Sequence, residues 1–147
     1  MSWLASLEPV GLLLLRLALG LIFFTHGYPK LTRPAAPVAA MFVEHGLPAQ
    51  LVYVAGVLET FGGILVVAGL FTRPAALLLA AEMAVAIVKV HGGHGIMALH
   101  EYEFPLALAA GALALATTGA GRLSLDGALF PGRAGRARPS RPAKRER

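Results

Sequence analysis

Cysteine is absent from this sequence of 147 residues, and charged residues are scarce at 14%. Without cysteine, the chain cannot form a CxxC redox pair, a disulfide, a thiolate zinc site or a cysteine-ligated iron–sulfur cluster. Soluble domains carry about 25% charged residues, so the low charge content argues against a soluble helical protein. Hydrophobic residues make up 56% of the chain, which is typical of an integral membrane protein.

The hydrophobic residues fall into four segments separated by proline, glycine and polar residues. A membrane-spanning helix needs about 20 mainly apolar residues. The predicted spans are about residues 9–28, 50–71, 75–90 and 104–119. We therefore predict an all-α fold, in which residues 1–130 form a four-transmembrane-helix bundle with the lipid bilayer as its surroundings.

Two parts of the chain are predicted to lie outside the spans. In the first loop, helical spacing predicts a short amphipathic helix at the membrane interface; its apolar and polar positions are Val38, Met41, Phe42 and His45. Residues 131–147 are rich in proline, glycine and arginine without apolar periodicity, so we predict a disordered basic tail. The tail has no aromatic residues on which bases could stack, so we expect no nucleic-acid partner.

Basic residues predict the orientation of the bundle. Seven of the thirteen Lys and Arg follow Pro131, and four spans place both termini on the same side as Arg73 and Arg122. Loops rich in Lys and Arg stay in the cytoplasm. We therefore expect a multi-pass protein of a bacterial-type cytoplasmic (inner) membrane, with both termini cytoplasmic and the first and third loops outside.

Four ionisable residues fall inside or at the ends of the predicted spans: Arg16, Glu59, Glu82 and Lys89. Steps of three and four from Glu59 reach small or β-branched residues such as Gly56 and Gly63, so this face should pack against protein. Charged groups inside a membrane pair with one another or serve a function. We predict an intramembrane polar cluster in which Arg16 bridges the two glutamates, with Lys89 above it.

Two interpretations of this cluster stay open. A buried ion pair can simply fix how helices pack. Alternatively, two carboxyl groups that share one cation can exchange a proton, which would suit proton or quinol chemistry.

A second group of polar residues is predicted near the outer surface: His26, Lys30, His91, His94, His100 and Glu101. Solvent-exposed histidines are one interpretation; a bis-histidine haem, a metal site with Glu101 or Glu103 and a quinone pocket are the others. We favour the pocket, because it needs only one hydrogen-bonding histidine and a nearby acid, whereas haem needs two imidazoles on opposite faces. We therefore expect that this pocket holds no metal and that its ligand is a quinone rather than a haem. The sequence does not identify a catalytic residue.

Several ordered segments resemble the DoxX family of small four-helix membrane proteins. They are RLALGLIFFTHGYPKL from Arg16, FVEHGLP, GVLETFGGILVVAGLFTRPAALLLAAEM from Gly56, and GAGRLSLDGAL up to Leu129. The resemblance covers about residues 12–129. It implies a cytoplasmic-membrane location, and some members are linked to quinol oxidase, thiosulfate:quinone oxidoreductase and oxidative-stress complexes.

The resemblance also carries the family's recurrent polar residues onto this chain: Arg16, His26, Lys30, Glu59, Arg73, His91 and Asp126. It further implies that Arg122, Ser124 and Asp126 form a turn that caps the bundle. The basic tail lies outside the family pattern.

Three functions are compatible with these features. The first is an accessory or quinone-interacting subunit of a membrane redox complex, more in keeping with the sequence than a stand-alone enzyme, with electrons supplied by a membrane or peripheral redox partner. The second is a non-catalytic scaffold or assembly partner. The third is a small permease-like module for protons or a solute, which would need a homo-oligomer because four helices leave little room for a pore.

Overall fold

The computed structural model describes residues 3, 6–33, 35–92 and 99–130, with only the backbone of His91. Within these residues the fold is all-α, as predicted. We label the helices α1 (Glu8–Thr32), α2 (Ala36–Glu44), α3 (Leu51–Ala68), α4 (Thr72–Ala86), α5 (Leu99–Thr118) and α6 (Leu125–Leu129). A π-helical turn, Ile87–His91, continues α4.

The four long helices run alternately in opposite directions, and α1 and α3 make the most extensive contact. The backbones of these two helices meet at glycine: a Cβ added to Gly20 would lie 2.6 Å from the carbonyl oxygen of Gly63. Towards the end of α1 the contacts move to earlier α3 residues, from Gly63 to Gly56, so the pair is antiparallel. Small residues allow this approach without a hydrophobic driving force in lipid.

The core lies between α1, α3, α4 and α5 and is built from Leu, Phe, Val and Ala side chains. Its fully buried members include Phe23, Val66, Leu79 and Leu115. Large apolar side chains also cover much of the outer surface of the helices, for example Leu21, Phe61, Leu77 and Leu113. A bundle that is apolar both inside and outside suits lipid rather than water.

The helices coincide with the four predicted spans, with differences at their ends. α1 continues to Thr32 instead of ending near residue 28, and α4 begins at Thr72 rather than 75. α5 begins at Leu99 rather than 104, so Pro105 lies inside the helix instead of in its first turn. In the described part of the chain, α1 and α3 are the two helices long and apolar enough to cross a membrane.

The predicted short helix in the first loop is present as α2, which has no buried residues. Its position at a membrane interface stays a prediction, as do the number of helices that span the membrane and the domain limits. The predicted disordered tail, residues 131–147, lies outside the described residues.

Candidate functional site

Lys30 and Glu59 form an ion pair between α1 and α3. The Nζ of Lys30 donates a hydrogen bond of 2.5 Å to Oε2 of Glu59, and their side chains are 17% and 6% exposed. Glycine allows this pairing because a Cβ on Gly27 would lie 2.6 Å from the Cβ of Glu59. The prediction that Glu59 faces protein is therefore confirmed, but its cation is Lys30.

Glu82 on α4 adds a second carboxyl group to this pair. The charges of both Glu59 and Lys30 act on the Glu82 carboxyl group. Its Oε2 atom is buried and has no hydrogen-bond partner in the part of the chain that the structure describes. We call Lys30, Glu59 and Glu82 the carboxyl site: it holds two carboxyl groups and one ammonium group, contributed by three helices.

Arg16 is buried at the other end of the bundle, and the predicted bridge from Arg16 to the glutamates is wrong. Arg16 and Lys30 are separated by about 21 Å of helix α1. The Arg16 guanidinium instead donates four hydrogen bonds of 2.7–3.3 Å to backbone carbonyl oxygens. These acceptors, which with Arg16 we call the arginine clamp, belong to Val66, Val67, Ala120 and Leu123.

The arginine clamp forms at helix ends, where the last carbonyl oxygens lack the N–H donor that continuing the α-helix would supply. Val66 and Val67 are near the end of α3, where Gly69 has φ +68° and leaves room for the guanidinium. A Cβ on Gly69 would lie 2.7 Å from Cζ of Arg16. The clamp therefore ties the end of α3 to the segment after α5.

Asp126 and Ser124 complete this end of the bundle. The Asp126 carboxylate accepts 2.9 Å hydrogen bonds from the backbone N–H groups of Phe71 and Thr72, at the start of α4. Ser124 caps α6, since its Oγ accepts a 2.9 Å hydrogen bond from the N–H of Gly127. The capping turn implied by the family resemblance is present for these two residues, whereas Arg122 is exposed.

Lys89 was predicted to lie above the cluster, but its side chain is exposed on the π-helical turn. Within the described residues, Lys30 pairs with Glu59, and Nε2 of His100 lies 3.1 Å from Oε1 of Glu101. Lys89 is therefore not part of the carboxyl site.

The predicted outer pocket is only partly assembled. His26 is exposed, its Nδ1 is 2.8 Å from the carbonyl oxygen of Ile22, and its ring centroid is 5.7 Å from that of Phe104. Lys30 belongs to the carboxyl site, and Glu101 is paired with exposed His100 at 3.1 Å. His94 and the side chain of His91 lie outside what the structure describes. No group of three potential ligands could hold a metal ion within the described ranges.

The fold and the carboxyl site together define a class: a helical membrane protein that keeps a charged site between apolar helices. The DoxX family model matches residues 11–92, and the chain belongs to the DoxX family. The predicted resemblance is thereby confirmed.

Three bacterial proteins match most of the chain. The Bacillus subtilis protein named "Putative oxidoreductase CatD" is 36% identical, with 84% of this chain and 90% of the relative covered. From Escherichia coli K12, "Inner membrane protein YphA" is 33% identical (81% and 90% covered). "Inner membrane protein YqjF", from the same strain, is 31% identical (82% and 93% covered). No solved structure matches the chain.

Proposed function

We propose that this protein is an accessory, quinone-interacting subunit of a redox complex in the bacterial cytoplasmic membrane. The observation that carries the proposal is the carboxyl site, because ionisable groups buried in a membrane bundle mark proton and substrate pathways. The name of the Bacillus subtilis relative, which describes an oxidoreductase, and the inner-membrane names of the Escherichia coli relatives support this class and location.

Quinone chemistry needs proton-exchanging groups within the membrane. Reduction of a quinone to a quinol takes up protons together with electrons, and the quinone and the quinol both stay in the lipid bilayer. Carboxyl groups inside the bilayer can exchange these protons when neighbouring charges adjust their pKa values. The carboxyl site provides the proton-exchanging groups, and a redox partner protein would supply the electrons.

We place the quinone head group beside His26, close to the carboxyl site. His26 precedes Lys30 by four residues, so both lie on one face of α1, about 6 Å apart along its axis. Because Nδ1 of His26 faces its own helix, Nε2 is the atom that can reach a ligand. The ring of Phe104 beside it offers an apolar wall.

The test is the quinone content of the protein purified from native membranes in mild detergent. We expect wild-type protein to carry quinone, and Glu59→Gln to lose most of it while its helical circular dichroism is retained. Glu44→Gln, which alters an exposed carboxylate at the end of α2, is the matched control and should keep its quinone. Equal quinone content in all three proteins, or none in the wild type, would contradict the proposal.

The arginine clamp favours a second candidate, a non-catalytic membrane scaffold. Among the described residues the buried Arg16 guanidinium bonds backbone carbonyl oxygens, which favours a structural role. The Lys30–Glu59 pair could likewise serve to join α1 to α3. For a scaffold, Glu59→Gln would lower the melting temperature and leave quinone content and partner binding unchanged.

A further inference from the structure

We propose that the carboxyl site is a proton-binding site in which Glu82 carries the proton and Glu59 stays ionised as the fixed partner of Lys30. This inference deepens the proposed function and rests on it only for the use of the proton, since a quinone reaction would consume or release it. The proton-binding itself is a property of the three side chains.

The first argument is the charge of the carboxyl site. With Lys30 protonated and both glutamates ionised, the site would hold one positive and two negative charges between apolar helices. A net charge is costly there, because neither lipid nor the core can solvate it. Two carboxyl groups that share one cation do not both stay ionised. One bound proton makes the site neutral.

The second argument decides which carboxyl group holds the proton. Oε2 of Glu59 accepts the hydrogen bond from Lys30, which favours the ionised form of Glu59. Oε2 of Glu82 is buried without a hydrogen-bond partner among the described residues. An ionised oxygen in that position would lose its hydration and gain no donor in return, so the proton belongs on Glu82.

The remaining charged groups around Glu82 do not change this assignment. The charges that act on it within the described chain come from Glu59 on α3 and Lys30 on α1. On the neighbouring π-helical turn and α5, Lys89, His100, Glu101 and Glu103 are exposed to the surroundings, and Tyr102 is half-buried. When Glu82 is deprotonated, its O–H bond breaks, the electron pair stays on the carboxylate, and the proton passes to a base, either water or the oxygen of a quinone that has received electrons from the redox partner.

Infrared spectroscopy of the full chain in an ester-free detergent at neutral pH tests the inference. A protonated carboxyl group gives a C=O stretching band that shifts in D₂O and is separate from carboxylate bands. We expect this band in wild-type protein and its loss in Glu82→Gln. Glu44→Gln, the exposed control, should leave it unchanged.

A third variant checks the charge argument. Lys30→Met removes the cation of the carboxyl site, so it should leave both glutamates protonated and increase the band about twofold. Absence of the band in wild-type protein, or its persistence in Glu82→Gln, would overturn the inference, as would an unchanged band in folded Lys30→Met. If Lys30→Met does not fold, the comparison of Glu82→Gln with Glu44→Gln decides. The spectra need no quinone, so a failed quinone assay does not affect the outcome.

Discussion

At the scale of single residues, two cations of α1 have separate roles. Arg16 has a planar fork of donors that can serve several carbonyl oxygens at once, and it is 2% exposed. Lys30 is a compact ammonium group whose bond goes to one carboxylate oxygen. The two side chains suit these roles, because a guanidinium can donate to carbonyl oxygens of several helix ends at once, whereas the Lys30 ammonium group pairs with a single carboxylate.

Arg16→Met should destabilise the bundle without altering the carboxyl site. The substitution removes the guanidinium donor from four carbonyl oxygens, of which that of Val66 keeps the backbone N–H of Gly69, so we expect a loss of about 3 kcal/mol. Thermal unfolding in detergent measures the change. Arg122→Met, at an exposed arginine, should melt close to wild type, and equal melting temperatures for both variants would show that the arginine clamp contributes little.

At the scale of helices, α1 and α3 pack through glycine rather than through interlocking large side chains. The approach of their backbones brings Glu59 within reach of Lys30. Stability of this helix pair and assembly of the carboxyl site therefore depend on the same contact.

Gly20→Ala should separate α1 from α3. The added Cβ would lie 2.6 Å from the carbonyl oxygen of Gly63, and overpacking of this kind costs about 1–3 kcal/mol. Gly11→Ala in the same helix is the control, because a Cβ there meets nothing within 4 Å; it should be neutral or stabilising by up to about 1 kcal/mol. Unfolding by denaturing detergent compares the two, and a Gly20→Ala protein as stable as Gly11→Ala would contradict the close contact.

Asp126→Ala should weaken the start of α4. It removes the acceptor for the N–H groups of Phe71 and Thr72, and loss of a helix cap costs about 1–2 kcal/mol. Hydrogen exchange should show faster exchange at these two amides. In Glu8→Ala, which removes an exposed acid at the start of α1, exchange at Phe71 and Thr72 should stay unchanged; similar exchange in both variants would argue against the cap.

At the scale of the whole molecule, the alternating helices place α2 and the segment after α5 at opposite ends of the bundle. If all four long helices cross the membrane, residues 44 and 122 face opposite sides. The absence of cysteine makes this testable, because wild-type protein gives no background with thiol reagents.

Single cysteines at these positions should react from opposite sides. In intact cells, we expect Glu44→Cys to react with a membrane-impermeant maleimide and Arg122→Cys to react only after lysis. Labelling of Arg122→Cys in the presence of a permeant maleimide controls for accessibility of the thiol. Labelling of both variants in intact cells would contradict the predicted topology.

The sequence predicts more of the fold than of the site. Hydropathy locates all four long helices, and the small residues around Glu59 correctly predict a buried face. The partner of Glu59 was missed because the first span was ended near residue 28. With α1 continued to Thr32, Lys30 lies within the helix, four residues after His26. Gly27 on α1 and Gly56 on α3 are the sequence signal for this pairing, because the missing side chains let the two helices touch beside Lys30 and Glu59.

Composition and periodicity alone determined that this chain forms apolar helices for a membrane and that Glu59 faces protein, because both follow from the spacing of residues along one helix. Only the tertiary structure decided that Lys30 pairs with Glu59, that Arg16 binds backbone carbonyl oxygens, and that Glu82 lacks a hydrogen-bond partner for Oε2 among the described residues. Which side chains pair between two helices depends on how far the helices are shifted along their axes and how they are rotated. The glycine contacts between the two backbones set this shift and rotation, and the sequence of one helix alone does not specify them.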